Sequence, residues 1–503
     1  MENFTILHNG SGPVALHSIP CTDYAPFHAR VAGRLAAGCH CAHYFAIPGA
    51  GDTLIVFAVL LDDTAHTVLV SAASVDPETA VPSLTALYPA MHPFERDIAE
   101  TTGLCYTDMP WDKPLRLAHD RADRTRTVDN YPFYSIEGEA LHEVNVGPIH
   151  AGIIEPGAFR FICNGERVLH LEIALGYQHR GVEKLMTATG NRLRQAMLAE
   201  AIAGDSSVAH GRAFAAAIEQ LGDAPACNAS ALERTIALEM ERVAMHLADT
   251  GALCGDIGYQ LGQVACEALR TVTINTTQRW CGNRFGKGLV RPTGTWYPLT
   301  PEIVELIRHN MTDVKRRYGE VSANLHATPS VLARFEDCGR LDPAQAASIG
   351  AVGMAARASG LARDLRASHP ADAYAELGHT PVTEEAGDVM ARLNIRCREV
   401  AQSIDHILAL LHEASDGGTA PPAPDLERPL MPSALAVGLA EGWRGEVCHV
   451  ALTDATGRIA HYKIKDPSLH NWLALALAVR GEGISDFPIC NKSFNLSYCG
   501  HDL

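Results

Sequence analysis

The chain has 503 residues, 47% hydrophobic and 20% charged, with a formal net charge of −17. That is apolar material for a large core spread over roughly three average domains, and the charge argues against nucleic acid and anionic lipid surfaces as direct partners, because both would repel it. No apolar run is long enough to cross a bilayer, and Met1-Glu2-Asn3-Phe4 lacks the basic start and apolar block of an export signal, so a cytoplasmic, water-soluble chain is expected.

Residues 1–118 read as a compact α/β unit. Helical composition over 29–37 ends at Gly38. Next comes Cys39-His40-Cys41-Ala42-His43, whose thiols and imidazoles suit zinc. The Cys-x-Cys spacing is tight and no second half-site is visible, so buried thiols with a surface His or two is the favoured reading. Segments 54–61 and 67–71 are apolar and β-branched around Asp62-Asp63-Thr64-Ala65, a hairpin pattern. The run Glu95-Arg96-Asp97, taken alone, reads as a solvated helix end. Residues 119–142 form a linker: 119–130 is charged and without apolar periodicity. The 14 cysteines are scattered with no Cys-x-x-Cys pair, and cytosolic thiols stay reduced, so no disulfide framework is expected.

The third segment, 143–503, begins with two strands, 159–163 and 167–173, flanking Asn164-Gly165, a strong short hairpin signal. A two-residue turn there places Cys163 opposite Glu166. Helices are expected over 193–203, 212–220, 231–252, 263–276, 301–317, 348–366 and 383–411. Leu232, Ile236, Met240, Val243 and Leu247 repeat with a period near 3.6. The Pro-, Gly- and Asp-rich stretch 413–432 reads as a long surface loop. Strands return at 446–452 and 459–464, and a last helix is expected over 469–479. The predicted core is a helix bundle with small sheets at one end.

Several blocks carry a family resemblance. They are Gly147-Pro148-Ile149-His150, Glu155-Pro156-Gly157-Ala158-Phe159-Arg160, Gly176-Tyr177-Gln178-His179-Arg180-Gly181-Val182-Glu183-Lys184-Leu185, Glu241-Arg242-Val243-Ala244-Met245-His246-Leu247, Gly282-Asn283-Arg284-Phe285, Arg291-Pro292, Arg357-Ala358-Ser359-Gly360 and Arg444-Gly445-Glu446. In this order they resemble the large subunit of [NiFe] hydrogenases and the complex I 49-kDa subunit. Segments 88–100 and 111–116 resemble the complex I 30-kDa subunit, so the fused order is similar to that of formate-hydrogenlyase-type large subunits. The implied fold is α+β: an α/β 30-kDa-like domain, then a mainly α-helical large-subunit domain with small β-sheets.

A NiFe centre needs four thiolates, since soft deprotonated sulfur holds the nickel and bridges it to iron. The resemblance sets the ligand positions at Ala203, Ser206, Ser497 and Gly500, none of which can supply one. Cys499 is one place out of register. The chain also runs only to Leu503, without the extension that hydrogenases remove during metal insertion, so activity as a NiFe hydrogenase by itself is not expected. Complex I uses the emptied cavity for a quinone headgroup. Its His and Tyr are unmatched here: the loop reads Ala151-Gly152-Ile153-Ile154-Glu155-Pro156-Gly157, and the Tyr position falls at or near Gly204.

What remains is a cavity with proton-carrying groups. Glu155, Asp205 and His210 are the candidates for a proton path, joined by His179 and Arg180, while His150 and Ser206 are candidate linings of a quinone cavity. The competing reading of Glu155 is a simple ion pair with Arg160 across the hairpin. Glu241, Arg242 and His246 read as packing and ion pairs along one helix.

The expected function is a peripheral-arm subunit of a membrane-bound, complex I-like or hydrogenase-related oxidoreductase complex, coupling electron transfer to ion translocation without a NiFe centre. The alternatives are a scaffold with no redox chemistry of its own, or quinone reduction in an atypical cavity. No directly bound cofactor is expected, with quinone the open case and an iron–sulfur cluster expected in a partner. The implied partners are an iron–sulfur small subunit, a ferredoxin-like subunit and antiporter-like membrane subunits, on the cytoplasmic side of the inner membrane. A free-standing enzyme fits poorly, because no Gly-rich nucleotide loop or nucleophile triad is present.

Overall fold

The computed structural model describes residues 3–150, 154–415 and 422–503. Among the described residues, sheets of five, four and three strands and two two-stranded ribbons accompany a helix bundle. The first sheet has the strand order Thr5–Leu7, Thr67–Val75, Leu54–Asp62, His40–Pro48, and Cys21–Asp23 pairs in parallel with Thr67–Val75. The central strand shows why both faces are buried. Leu54, Val56, Ala58 and Leu60 point one way, toward Phe27 and Val31 of helix Tyr24–Ala36 and Phe94 and Ile98 of helix His92–Thr102. Phe57, Val59 and Leu61 point the other way.

That second face packs on another sheet, ordered Ile459–Lys465, Glu446–Thr453, Ala434–Glu441, Val14–Ala15. Val437, Leu439, Cys448 and Val450 meet Phe45, Phe57, Val59 and Val70 in one shared core. Strand Val14–Ala15 itself joins the second sheet, with Leu435 opposite Val14. The first 118 residues and the last 70 or so are therefore bound by backbone ladder as well as by side chains.

The charged run 95–97 is not solvated. Glu95 is fully buried and accepts from Leu84 N (2.7 Å), Thr85 N (3.1 Å) and the hydroxyls of Ser83 and Thr85. Arg96 donates to the carbonyls of Lys113 and Pro114, and Asp97 accepts from Arg116 at 2.6 Å. The run ties helix His92–Thr102 to segment 113–116. The Cys–His cluster lies on strand His40–Pro48, with a bulge between Cys41 and His43. Its thiols at Cys39 and Cys41 are buried as expected, but His40 and His43 are buried too, not at the surface. His40 Nε2 lies 2.8 Å from Glu446 Oε2. Among the described residues no group of three or more His, Cys, Asp or Glu is arranged to hold a metal ion.

Four long helices, Asn228–Asp256, Gln260–Cys281, Pro301–Ala327 and Val389–Ser415, form the bundle around Ile236, Met240, Val243, Leu247, Ile307, Met311 and Ile404. The expected periodic stripe is thus the core stripe. Helix Ser207–Leu221 is buried along its whole length between the bundle and the second sheet. The expected helix 348–366 is broken into Gly353–Arg357 and Leu365–Ser368. Gly350, Gly353 and Gly360 all take positive φ, and a side chain on Gly353 would collide with the Arg444 carbonyl. Helix 383–411 begins later, at Val389. Strands Leu141–Val146 and Ala434–Glu441 lie outside the sequence expectation. Loop 413–432 falls partly outside the described residues, as do Ala151, Gly152 and Ile153.

The Asn164-Gly165 hairpin forms one residue later than expected. Asn164 pairs with Arg167, so Gly165 and Glu166 make the turn, and Cys163 faces Val168 rather than Glu166. Gly165 takes φ +57°, which supplies the left-handed turn residue.

Two glycines test the packing. Gly438 lies where strand Ala434–Glu441 touches helix Ser207–Leu221, and a Cβ there would collide with the Ala213 carbonyl. Gly33 faces open space within helix Tyr24–Ala36. Gly438→Ala is expected to destabilise by about 1–3 kcal/mol, and Gly33→Ala to stabilise by about 0.5–1 kcal/mol, both read from urea denaturation midpoints.

Candidate functional site

Two distant stretches meet at one place. The first, 203–206, leads into helix Ser207–Leu221: Ser206 N donates to the Ala203 carbonyl (3.0 Å), and His210 N to the Ser206 carbonyl (3.1 Å). The open helix end is capped by Glu241, which accepts from Val208 N at 2.7 Å and Ala209 N at 3.2 Å. The second stretch enters the short helix Tyr498–Asp502, with Ser497 as its cap: its Oγ accepts from Gly500 N at 2.9 Å. The block 176–185 wraps this tail. Gly176 N and Gln178 N donate to the Asp502 carboxylate, and Arg180 donates to the carbonyls of Ala201 and Ile202 on one stretch and Cys499 on the other.

Arg444 clamps the stretches together. Its two terminal nitrogens each lie 2.7 Å from one oxygen of Asp205, Nη1 is 3.4 Å from Ser206 Oγ, and Nε donates to the Asn495 carbonyl at 2.6 Å. The guanidinium lies 3.9 Å from the Trp443 ring centroid, and the Trp443 indole donates to the Asp205 carbonyl. Burial disfavours the Arg444 charge, but Asp205 outweighs it and holds the arginine firmly protonated. Deeper in, His210 Nε2 lies 3.0 Å from Asp466 Oδ2, both groups fully buried. Burial pushes the Asp466 carboxyl up, but the hydrogen bond from His210, the nearby charge of Arg444 and the Ser468 amide bring it below its ordinary value.

The four positions assigned by resemblance to metal ligands do not fit a four-thiolate centre. Ala203 offers a methyl group, and Ser206 offers a hydroxyl near Arg444. The Ser497 hydroxyl serves as a helix cap. At Gly500 a Cβ would come 2.7 Å from the Asp466 carboxyl and 2.8 Å from Ser497 Oγ, so even the first atom of a cysteine has no room. The Cys499 sulfur lies 3.5 Å from Ser497 Oγ. Burial, with the Glu155 charge beside it, pushes its thiol up to about 12, away from the thiolate a metal needs.

The predicted residues divide into three groups. Asp205 and Ser206 are with Arg444, and His210 is inside with Asp466. Glu155 is half-buried and accepts from Cys499 N at 3.3 Å; it bonds to neither Asp205 nor His210. It does not pair with Arg160, which instead bonds to Glu143 (3.3 Å) and lies over the Phe133 ring. His150 rests beside Phe159 and Tyr498, and burial lowers its pKa. His179 Nδ1 lies 2.8 Å from the Asp502 carbonyl. Arg242 and His246 converge on Glu399 as an ion-pair network, whereas Glu241 points away to its capping role. Sequence reasoning missed Asp466, His449 and Tyr462. Arg444 was visible only inside a motif block. All four come from the sheet formed by 434–465 and its connections, more than 200 residues from Ser206.

The family described as the respiratory-chain NADH dehydrogenase 49 Kd subunit matches residues 256–430. Formate hydrogenlyase subunit 5 of Escherichia coli (strain K12) is 28% identical over 442 residues, covering 83% of this chain and 76% of that one. NADH-quinone oxidoreductase subunit 4 of Thermus thermophilus is 26% identical over 367 residues, covering 68% of this chain and 89% of its own. A chain from the structure of the membrane-bound sulfane sulfur reductase, an archaeal respiratory membrane complex, superposes with a TM-score of 0.67 at 22% identity, over 74% of this chain and 100% of that one. The fold is therefore shared with that chain. No helix among the described residues is long and apolar enough to cross a membrane.

Two measurements probe the site. Gly500→Ala is expected to cost about 1–3 kcal/mol, and Asp466→Ala in the same chain is expected to recover part of that, giving a coupling energy in a double-mutant cycle. Burial raises Glu241 to about 8, against the pull of the two amides it caps. The unfolded group titrates near the ordinary carboxyl value, so between there and pH 8 the native state holds a proton the unfolded chain has released. Stability therefore falls as pH rises through this window, by up to about 1.4 kcal/mol per unit from this group. Denaturation at pH 5, 6, 7 and 8 is expected to show the slope, and Glu241→Gln to flatten it by about one proton.

Proposed function

We propose that this chain is the peripheral large subunit of a membrane-bound oxidoreductase complex of the complex I and hydrogenase kind, with a 30-kDa-like unit fused at its N-terminal side and no NiFe centre. The observation that carries the proposal is the Arg444–Asp205 clamp, with Asp466 against Gly500, at the four positions aligned with metal ligands. An ion pair and a helix cap stand where a hydrogenase would need sulfur. The relatives named as hydrogenlyase and NADH-quinone oxidoreductase subunits support the class of assembly.

In this reading the subunit couples electron flow in its partners to ion movement and carries no metal redox step itself. Glu155, Asp205 and His210 are its proton-handling groups. Its partners are an iron–sulfur small subunit, a ferredoxin-like subunit and antiporter-like membrane subunits, met on the cytoplasmic face of the membrane. Any quinone would have to enter beside His150 and Ser206.

The test is isolation of the native complex through a tag on this chain. Iron–sulfur and antiporter-like subunits are expected to co-purify, with iron but without nickel in proportion to the tagged chain. Nickel at one per chain, or a tagged chain recovered alone from gently solubilised membranes, refutes the proposal. Glu155→Gln and Asp205→Asn are expected to reduce turnover of the assembled complex by about tenfold or more without loss of subunits; full activity in both marks the scaffold alternative.

A further inference from the structure

Four fully buried side chains lie in one unbroken line behind the Arg444 clamp. His210 Nε2 is 3.0 Å from Asp466 Oδ2, His210 Nδ1 is 3.1 Å from His449 Nε2, and His449 Nδ1 is 2.8 Å from the Tyr462 hydroxyl. Asp466, His210, His449 and Tyr462 are each at most 2% exposed. They come from three elements: His210 from helix Ser207–Leu221, His449 from strand Glu446–Thr453 and Tyr462 from strand Ile459–Lys465, whose end leads into Asp466.

With His210 and His449 both neutral, donor and acceptor chemistry sets the direction of every bond. An ionised carboxylate can only accept, so His210 Nε2 carries a hydrogen and donates to Asp466. In the neutral ring Nδ1 then accepts, and His449 Nε2 must donate to it. His449 Nδ1 accepts in turn, and the Tyr462 hydroxyl donates. All three bonds point toward Asp466. Burial keeps the His449 ring neutral. We propose that Tyr462, His449, His210 and Asp466 form a proton wire, which carries protons between the Tyr462 end, where Arg192 lies, and the site held by Arg444.

One transfer balances as follows. Tyr462 Oη takes a proton from a hydronium ion entering beside Arg192, leaving water behind, and gives its own to His449 Nδ1. The His449 Nε2 hydrogen passes to His210 Nδ1, and the His210 Nε2 hydrogen passes to Asp466 Oδ2. One proton enters, one arrives, and only O–H and N–H bonds are exchanged. Run in reverse, the same steps return a proton from Asp466 to the Tyr462 end; a second transfer in the same direction follows once Asp466 has passed its proton on and the two rings and the Tyr462 hydroxyl have reoriented. At the outer end Arg192 is close enough to Tyr462 for their charges to interact, is itself drawn to Glu427, and holds a buried Nη1 without a hydrogen-bond partner among the described residues. The groups facing the line are Arg192 and Cys448 at Tyr462, His43 at His449, and Arg444 at Asp466. At the inner end the Asp466 carboxyl lies against Gly500, beside the cap of Ser497.

The function proposed above supplies a use for the delivered proton; the wire itself rests on the bonding geometry. The test therefore has two arms. The full chain labelled with [15N]histidine is expected to show His210 and His449, assigned with His210→Gln and His449→Gln, as neutral Nε2-protonated rings at pH 7. Tyr462→Phe is expected to shift the His449 Nδ1 resonance and leave the fold unchanged by circular dichroism. An imidazolium or an Nδ1-protonated ring at His210 overturns the wire. In the assembled complex in vesicles, Tyr462→Phe and Asp466→Asn are expected to slow proton uptake by about tenfold or more with substrate KM unchanged, and added imidazole to restore part of the Tyr462→Phe rate. Unchanged uptake in both variants overturns the proposal. A wild-type complex that assembles but neither turns over nor takes up protons refutes the function instead, and the histidine spectra then decide the wire alone.

Discussion

The turn between strands Ala434–Glu441 and Glu446–Thr453 holds the molecule together electrostatically. It is closed by a reciprocal pair of backbone bonds between Gly442 and Gly445 (2.9 and 3.1 Å). Three charged residues on it reach three different regions. Glu441 binds Arg357 at 2.9 Å, Arg444 binds Asp205, and Glu446 binds His40 and Lys465. Arg242 from the bundle adds bonds to the carbonyls of Glu441 and Gly442. The bundle, the joined stretches and the first sheet are thereby indexed to the same six residues. Gly353 and Gly445 let their backbones meet, and neither position has room for a side chain.

Behind Glu441 lies a buried ionic cluster. Arg242, Arg357 and Arg366 face Glu239, Asp364, Glu399 and Glu441, all essentially inaccessible. Removing one member of such a cluster strands its partner without water, at a cost of about 3–5 kcal/mol. Carboxylates outnumber arginines by one here, and burial with the Asp364 charge beside it raises Glu441 to about 7. The cluster therefore exchanges a proton near neutrality at the same turn that positions Arg444. Fixed geometry and an adjustable charge coexist because the guanidiniums, held by several acceptors each, do not depend on Glu441 alone.

Long helices and the hairpins were legible in the sequence because each rests on local periodicity. Ile236, Met240, Val243 and Leu247 line the bundle core as their spacing requires. What was illegible depended on partners far along the chain. His40 looked like a metal ligand or a surface group until Glu446, some 400 residues away, accounted for it. The expected helix 348–366 failed at glycines with positive φ, one of which, Gly353, admits the 444–445 backbone. Asp205, Ser206 and His210 were named only through the resemblance, and Asp466 has no sequence signature: next to Lys465 and Pro467 it reads as an ordinary strand end.

Strand Val14–Ala15 has a kinetic meaning. Its ladder partner, Ala434–Leu435, is made some 420 residues later, so Val14–Ala15 stays without a strand to pair with until most of the polypeptide has been synthesised. Forming that pairing requires a very long loop to close, which is entropically modest in cost but slow to find. The nascent amino-terminal region thus has to wait, its second hydrophobic face uncovered, for the arrival of the strands that bury it. Its window of vulnerability to aggregation and to chaperone capture is set by the ribosome's progress toward residue 450.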